Sequence, residues 1–180
     1  DPAFKPVDGG VGRACRGDNE TDNSASHYTL FWAAPENESM SACQERCVRT
    51  PGCKGIEYRF GGCEVWTPSN GIQATVFGGD RTCLHYQPFQ TLDGFDDRVC
   101  RGANISDSES SYFLLKPPSE TPTLEACQRA CMGTPGCKGI EFRSGWCEVW
   151  TRPQGIQAVA PSANALCQRY EPFLAVDGGS

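Results

Sequence analysis

The twelve cysteines constrain this chain of 180 residues more than any other feature of its sequence. They form two sets of six, with steps of 28, 4, 6, 10 and 20 residues in the first set and 27, 4, 6, 10 and 20 in the second. Between positions 43–74 and 127–158, 22 of 32 aligned residues are identical. Such a recurring pattern indicates an internal duplication, so the sequence predicts two copies of one fold.

An even number of cysteines in each short repeat predicts a disulfide framework formed in an oxidising compartment. Zinc binding is the alternative use of cysteine, but a zinc site normally shows C-x2-C pairs or histidine ligands. Cys43 and Cys47 follow a C-x3-C spacing instead, and the second repeat contains no histidine. Three N-glycosylation sequons, at Asn19, Asn37 and Asn104, also favour a secreted, extracellular protein. We therefore expect structural disulfides and no metal.

Local sequence signals predict one helix and several short strands in each repeat. Ser39 and Thr123 are good N-cap residues, which predict helices near 40–49 and 124–132. Strands are predicted at 28–32, 54–59 and 63–67, at 112–115, 138–143 and 147–151, near 71–74 and 155–158, and after Cys83 and Cys167. The expected fold class is therefore α+β.

A helix with C-x3-C, followed by C-K-G-I-E-[YF] and then C-E-V-W, resembles the PAN/apple domain. The flanking Cys15 and Cys83 complete the six-cysteine pattern, and the resemblance covers about 150 residues. It implies two tandem domains, each a twisted antiparallel sheet that cradles one helix. The disulfides it implies are Cys15–Cys83, Cys43–Cys63, Cys47–Cys53, Cys100–Cys167, Cys127–Cys147 and Cys131–Cys137.

The repeat also predicts where the domains begin and end. The expected division is a tail or linker of a preceding repeat at 1–11, one domain at 12–89, a linker at 90–98, a second domain at 99–173 and the start of a following linker at 174–180. A Phe-x3-Asp motif, which we call the overhanging motif, lies outside the two sets of six cysteines. It occurs at Phe4 and Asp8, at Phe89 and Asp93, and at Phe173 and Asp177. Repeated overhangs favour docking between successive units. Self-assembly into an extracellular filament or coat is therefore one functional hypothesis.

Charge and hydropathy exclude two classes of protein. The net charge of −6 argues against a nucleic-acid partner, because nucleic-acid binding needs a basic face. The sequence has no run of about 18 apolar residues, so no transmembrane helix is predicted.

Catalysis is not expected, because the sequence contains no catalytic motif and no cofactor motif. His27 and His85 occur only in the first repeat, and alignment places Ser111 and Arg169 opposite them. One enzymatic alternative is a paired carboxylate site formed by Glu57 and Glu64, since both residues recur in the second repeat. We expect neither an enzyme nor a cofactor.

Strand alternation predicts a sheet face that carries an aromatic ring beside charged side chains. The candidate ligand-binding residues are Glu57, Arg59, Glu64 and Trp66 in the first repeat and Glu141, Arg143, Glu148 and Trp150 in the second. Such a face suits a sugar or a peptide, so we expect recognition of carbohydrate or extracellular protein. The alternative is a structural face, with ion pairs to Lys54 and Arg59 and with each tryptophan packed beneath a loop.

Overall fold

A computed structural model of the chain describes residues 3–32, 39–94 and 96–172. The chain divides into two units, the first containing Asp1–Pro88 and the second Phe89–Glu171. Each unit contains a five-stranded antiparallel sheet and one helix, so the disulfide-rich fold is α+β.

The first unit is built around two long antiparallel strands, the first and the last strand of the unit. Its elements are β1 (Phe4–Arg16), β2 (Tyr28–Trp32), α1 (Met40–Arg49), β3 (Gly55–Arg59), β4 (Gly62–Trp66) and β5 (Ala74–Tyr86), and the sheet order is β1-β5-β3-β4-β2. The pairing of β1 with β5 is interrupted by register shifts around Val11. Gly9 and Gly10 have φ angles of 87° and 75° there, a conformation that glycine adopts without steric cost. These bulges let β1 continue as one strand.

The second unit repeats this architecture with shorter strands. Its elements are β6 (Phe89–Thr91), β7 (Arg98–Arg101), β8 (Phe113–Lys116), α2 (Leu124–Met132), β9 (Gly139–Arg143), β10 (Trp146–Trp150), β11 (Ala158–Pro161) and β12 (Leu166–Tyr170). The main sheet has the order β6-β12-β9-β10-β8, and β11 pairs with β7 in a separate two-stranded sheet. The single long strand pairing of the first unit is thus divided into two shorter pairings.

Each helix begins at the N-cap residue that the sequence predicts. Ser39 Oγ accepts a hydrogen bond from the amide of Ala42 at 3.1 Å, and Thr123 Oγ1 accepts one from Ala126 at 3.2 Å. The helices are 10 and 9 residues long, and no helix in the described ranges is long and apolar enough to cross a membrane.

All twelve cysteines are paired, and each unit contains three disulfides. The pairs are the ones that the apple-domain resemblance implies: Cys15–Cys83, Cys43–Cys63, Cys47–Cys53, Cys100–Cys167, Cys127–Cys147 and Cys131–Cys137. In each unit one disulfide joins the helix to an inner strand, β4 or β10, and one closes the turn after the helix. The third joins β1 to β5 in the first unit and β7 to β12 in the second.

Each sheet of five strands has a small core on both of its faces. On one face of the first unit, Ile56 and Val65 pack with the helix cysteines Cys43 and Cys47. On the other face, which we call the second face, a separate cluster contains Cys15, Trp66, Ile72 and Cys83. The second unit repeats both clusters, with Ile140 and Val149 beneath the helix and with Trp150 and Ile156 on its second face.

Parts of the two segments predicted as linkers, 1–11 and 90–98, lie in sheet strands: residues 4–11 in β1, residues 90–91 in β6 and Arg98 in β7. Phe4 lies in β1 and its ring is 5.0 Å from the ring of Tyr86. Phe89 lies in β6 and has the same relation to Tyr170, also at 5.0 Å. The phenylalanine of the overhanging motif therefore packs on a tyrosine of the adjacent strand in both units. The third copy of the motif, at 173–177, lies outside the described residues.

Candidate ligand-binding cleft

The second face of each sheet carries a pair of directly opposed glutamates. Glu57 on β3 lies opposite Glu64 on β4, and Glu141 on β9 lies opposite Glu148 on β10. Since opposed residues of antiparallel strands project to the same side, each pair shares one face, as the sequence predicts. The opposite face packs against the helix, so the glutamates lie on the helix-free side.

The tryptophans that were expected on the surface of this face are buried. Trp66 and Trp150 are both 0 % exposed, so neither indole can contact a ligand at the surface. The Cys15–Cys83 disulfide and Ile72 pack against Trp66, and the ring centroid of Tyr28 lies 5.2 Å from that of Trp66. Sequence alternation gives the correct face but does not reveal that β1 and its disulfide cover part of it. Both indoles are therefore core residues.

Glu57 has a structural role that joins three strands. Its Oε2 accepts a hydrogen bond from the amide of Cys15 at 2.7 Å, and its Oε1 forms an ion pair with Arg81 Nη1 at 2.8 Å. The ion-pair partner is thus on β5 and is neither Lys54 nor Arg59. In the second unit, Glu141 Oε2 accepts the equivalent hydrogen bond from the amide of Cys100 at 2.8 Å.

The other member of each glutamate pair holds its proton unusually tightly. Burial, followed by the charge of Glu57, raises the pKa of Glu64 to about 7. Burial and the charge of Glu141 raise the pKa of Glu148 to about 7 as well, although Trp150 Nε1 donates a hydrogen bond to its Oε2 at 3.2 Å. Burial also raises the pKa of Glu141. Near neutral pH, Glu64 and Glu148 are therefore protonated in part of the molecules.

In the first unit, the outer part of the second face is filled by the protein itself. The guanidinium carbon of Arg59 lies 4.2 Å from the ring centroid of Trp32, which is an exposed residue at the end of β2. Gly62 lies beneath both side chains, because a Cβ at this position would be 3.1 Å from Arg59 and 3.2 Å from Trp32. The absence of a side chain at Gly62 allows this cation–π contact.

In the second unit, the same region is an open cleft of about 250 Å³. It is lined by Leu115, Glu141, Arg143, Ser144, Trp146 and Glu148. Trp146 replaces the glycine of the first unit, and it is 49 % exposed beside Leu115, which is 55 % exposed. Three of the predicted residues thus come together here, but the aromatic ring comes from Trp146 in place of Trp150. Residues that the two repeats share do not reveal Trp146, since the first repeat has Gly62 at this position.

Two other depressions of the second unit lie around Arg169 and have volumes of about 210 and 440 Å³. The guanidinium of Arg169 is already engaged, because its Nε donates a hydrogen bond to the carbonyl of Ile156 at 2.8 Å. The equivalent His85 makes the same contact with the carbonyl of Ile72 at 2.7 Å. Both repeats therefore use this position for the same structural contact.

A polar network stabilises the loop before the second strand of each unit. In the first unit, His27 Nε2 lies 2.9 Å from both carboxylate oxygens of Asp22. In the second unit, Tyr112 donates its hydroxyl hydrogen to Asp107 Oδ1 at 2.9 Å. The structural counterpart of His27 is therefore Tyr112, which corrects the alignment with Ser111. Since a tyrosine serves equally well, this histidine has a loop-stabilising role.

Two of the three sequons lie on exposed loops. The side-chain oxygen of Asn19 accepts hydrogen bonds from the amide and the hydroxyl of Thr21 at 3.0 and 2.7 Å. Asn104 makes the same pair of bonds with Ser106 at 3.0 and 2.8 Å. Both asparagines are exposed, whereas Asn37 lies outside the described residues.

In residues 3–32, 39–94 and 96–172, no group of three or more His, Cys, Asp or Glu side chains is arranged to hold a metal ion. No protein-family model matches the chain, and no curated protein matches it.

Proposed function

We propose that this chain consists of two tandem PAN/apple-type domains that form a non-catalytic, extracellular recognition module for carbohydrate or protein. The cysteine motifs, the sheet with one helix in each unit and the pairing of the six disulfides support this proposal. The observation that carries the binding role is the cleft of the second unit, where exposed apolar side chains stand beside partly buried carboxyl groups.

The chemistry of the cleft suits recognition. Trp146 and Leu115 expose apolar surface, which becomes favourable when a ligand covers it. Glu141 and Glu148 supply hydrogen-bonding oxygens beside that surface. Small-molecule pockets usually measure about 300–1,000 Å³, so a cleft of about 250 Å³ fits a single sugar ring or a single side chain of a larger ligand.

The hydrogen bonds of the two glutamates support a non-catalytic role. Glu141 holds the amide of Cys100, and Glu148 accepts the indole hydrogen of Trp150. General acid–base catalysis needs carboxyl groups that exchange protons with a substrate. Here one oxygen of each carboxyl group is already used, by the amide of Cys100 in Glu141 and by the indole of Trp150 in Glu148.

The same set of observations supports the proposed extracellular location. Six disulfides require an oxidising compartment during folding, and they persist outside the cell. Asn19 and Asn104 are both exposed to solvent, as acceptors of N-linked glycans must be.

The test is to screen the oxidised chain against an array of glycans and an array of extracellular proteins. We expect a ligand that is bound by the wild-type chain and is lost or weakened in Trp146→Ala. Phe77→Ala is the matched control, since Phe77 is an exposed aromatic residue of the first unit and binding should not change. Circular dichroism and disulfide mapping must show native folding in both variants. Blank arrays from folded protein would refute the recognition function, and undiminished binding by Trp146→Ala would refute the cleft as its site.

A further inference from the structure

The two copies of the second face differ in whether their own arginines neutralise the glutamate pair. In the first unit, Arg81 forms an ion pair with Glu57 at 2.8 Å, and Arg59 stacks on Trp32 at 4.2 Å. The face therefore holds two guanidinium groups, one on a carboxylate and one on an indole. The first unit shows how such a face accommodates cations.

The second unit lacks the arginine that pairs with the buried carboxylate. Cys83 lies opposite Glu57 and Cys167 lies opposite Glu141, so Arg81 and Ala165, each two residues before the cysteine, are equivalent. The positive side chain of the first unit is thus replaced by a methyl group.

Glu141 consequently has an unused oxygen at the cleft. The residue is only 9 % exposed, and it lines the cleft. Its Oε2 binds the amide of Cys100, while its Oε1 has no hydrogen-bond partner within the described part of the chain. Arg101 and Arg143 lower its pKa through space, but in the same part of the chain neither forms an ion pair with it within 4.0 Å. A buried carboxylate without a close counter-ion favours a cation from outside.

We propose that the cleft of the second unit binds a lysine or arginine side chain of a partner protein. The cationic group pairs with Glu141 and Glu148, and it lies against the exposed ring of Trp146. This proposal rests on the recognition function proposed above and specifies the chemistry of its ligand. The Arg81–Glu57 ion pair and the Arg59–Trp32 stack of the first unit are the same two kinds of contact that we expect between the ligand and the second unit.

Three properties favour a basic side chain over a neutral sugar. A cation neutralises the charge of Glu141, which is nine-tenths buried, whereas a neutral sugar leaves that charge without a counter-ion. The face of an indole attracts cations. The chain as a whole carries a net charge of −6, which accelerates encounters with basic partners.

The test uses the intact, oxidised chain and a pair of short peptides, acetyl-Gly-Arg-Gly-amide and its citrulline analogue. Citrulline has nearly the shape of arginine but no charge, so it isolates the electrostatic contribution. Amide and indole resonances are followed by nuclear magnetic resonance during titration. We expect the arginine peptide to shift the indole resonance of Trp146 and the amide of Cys100, and the citrulline peptide to leave both unchanged.

Variants of the cleft locate the binding. Trp146→Ala and Glu148→Gln should each weaken the arginine peptide by about two- to fivefold, the change expected for an exposed cation–π or ionic contact. Phe77→Ala should bind as the wild type does. In the first unit, Arg81→Ala should open a second site, which would be seen as new shifts of the Cys15 amide.

The outcomes separate this proposal from the recognition function. Equal responses to both peptides, or arginine binding that is unchanged in Trp146→Ala and Glu148→Gln, would overturn the cation site. If array ligands still depend on Trp146 in that case, the recognition function stands and its ligand is of another class, with a glycan as the first alternative. If the arrays are blank and neither peptide binds, both proposals are wrong.

Discussion

Glu64 and Glu148 should make the chain less stable as the pH rises from 5 to 8. Burial and the neighbouring glutamate raise the pKa of each from an ordinary value of 4.5 to about 7. The folded chain therefore binds more protons than the unfolded chain between these two values. The resulting stabilisation is fully present below pH 4.5, and it is lost as the pH rises through 7.

The magnitude follows from the two pKa values. The difference between 7 and 4.5 is about 2.5 pH units, which corresponds to an upper limit of about 3 kcal/mol for each carboxyl group. Glu148 lines the open cleft and Glu64 keeps a small exposed area, so solvent screens part of each charge and we expect about 1–2 kcal/mol for each group between pH 5 and pH 8.

Replacement of these glutamates by glutamine tests the reasoning, because glutamine resembles the protonated acid and does not titrate. We expect Glu64→Gln and Glu148→Gln each to be more stable than the wild type at pH 8 by about 1–2 kcal/mol and nearly equal to it at pH 5. Urea unfolding of the oxidised chain, followed by tryptophan fluorescence between pH 5 and pH 8, measures the difference. Glu109→Gln is the control, since Glu109 is exposed and should not alter the slope.

Two results would refute this account of the glutamate pairs. The first is a double variant, Glu64→Gln with Glu148→Gln, whose stability falls with pH as steeply as that of the wild type. The second is a carboxyl titration by carbon-13 resonance with midpoints near 4.5 for both groups. Either result would mean that water solvates the carboxyl groups as fully in the folded chain as in the unfolded one.

Three further predictions concern stability and modification. Replacement of the Cys15–Cys83 disulfide by two alanines should cost about 4 kcal/mol by the loop-entropy relation, because it closes the longest loop of the first unit; urea unfolding with a loss below about 1 kcal/mol would contradict it. Trp66→Ala should cost about 3–5 kcal/mol, whereas Trp146→Ala should change stability by less than about 0.5 kcal/mol; similar costs would mean that the contrast in burial is wrong. Asn104→Gln should increase the electrophoretic mobility of the secreted chain by the contribution of one glycan. If the variant and the wild type migrate alike both before and after glycosidase treatment, the sequon at Asn104 is not used.

The helices and the short inner strands could be predicted because their signals are local. Ser39 and Thr123 act through hydrogen bonds to residues three positions away, so the sequence alone locates both helix starts. The long strand β1 was missed, because its glycines and positive φ angles interrupt the alternation on which strand prediction depends. Its pairing with β5 also links residues far apart in the chain.

The candidate site was predicted in part, for reasons that individual residues make clear. Glu57 and Glu141 were correctly placed on the helix-free face, since alternation along a strand is local. The interaction of Glu57 with Arg81 depends on the register between β3 and β5, which the sequence does not specify. Trp146 cannot be identified from residues that the two repeats share, because its counterpart in the first repeat is Gly62.

The sequence by itself determined the duplication, the disulfide-rich α+β class and the faces of the inner strands, because cysteine spacing, caps and alternation act over a few residues. The tertiary structure alone decided which side chains are exposed. It buries Trp66 against the Cys15–Cys83 disulfide and Trp150 against the Cys100–Cys167 disulfide. It leaves Trp146 exposed in a cleft that two glutamates also line. Exposure depends on what distant segments cover, so two nearly identical motifs produce a filled face in one unit and an open cleft in the other.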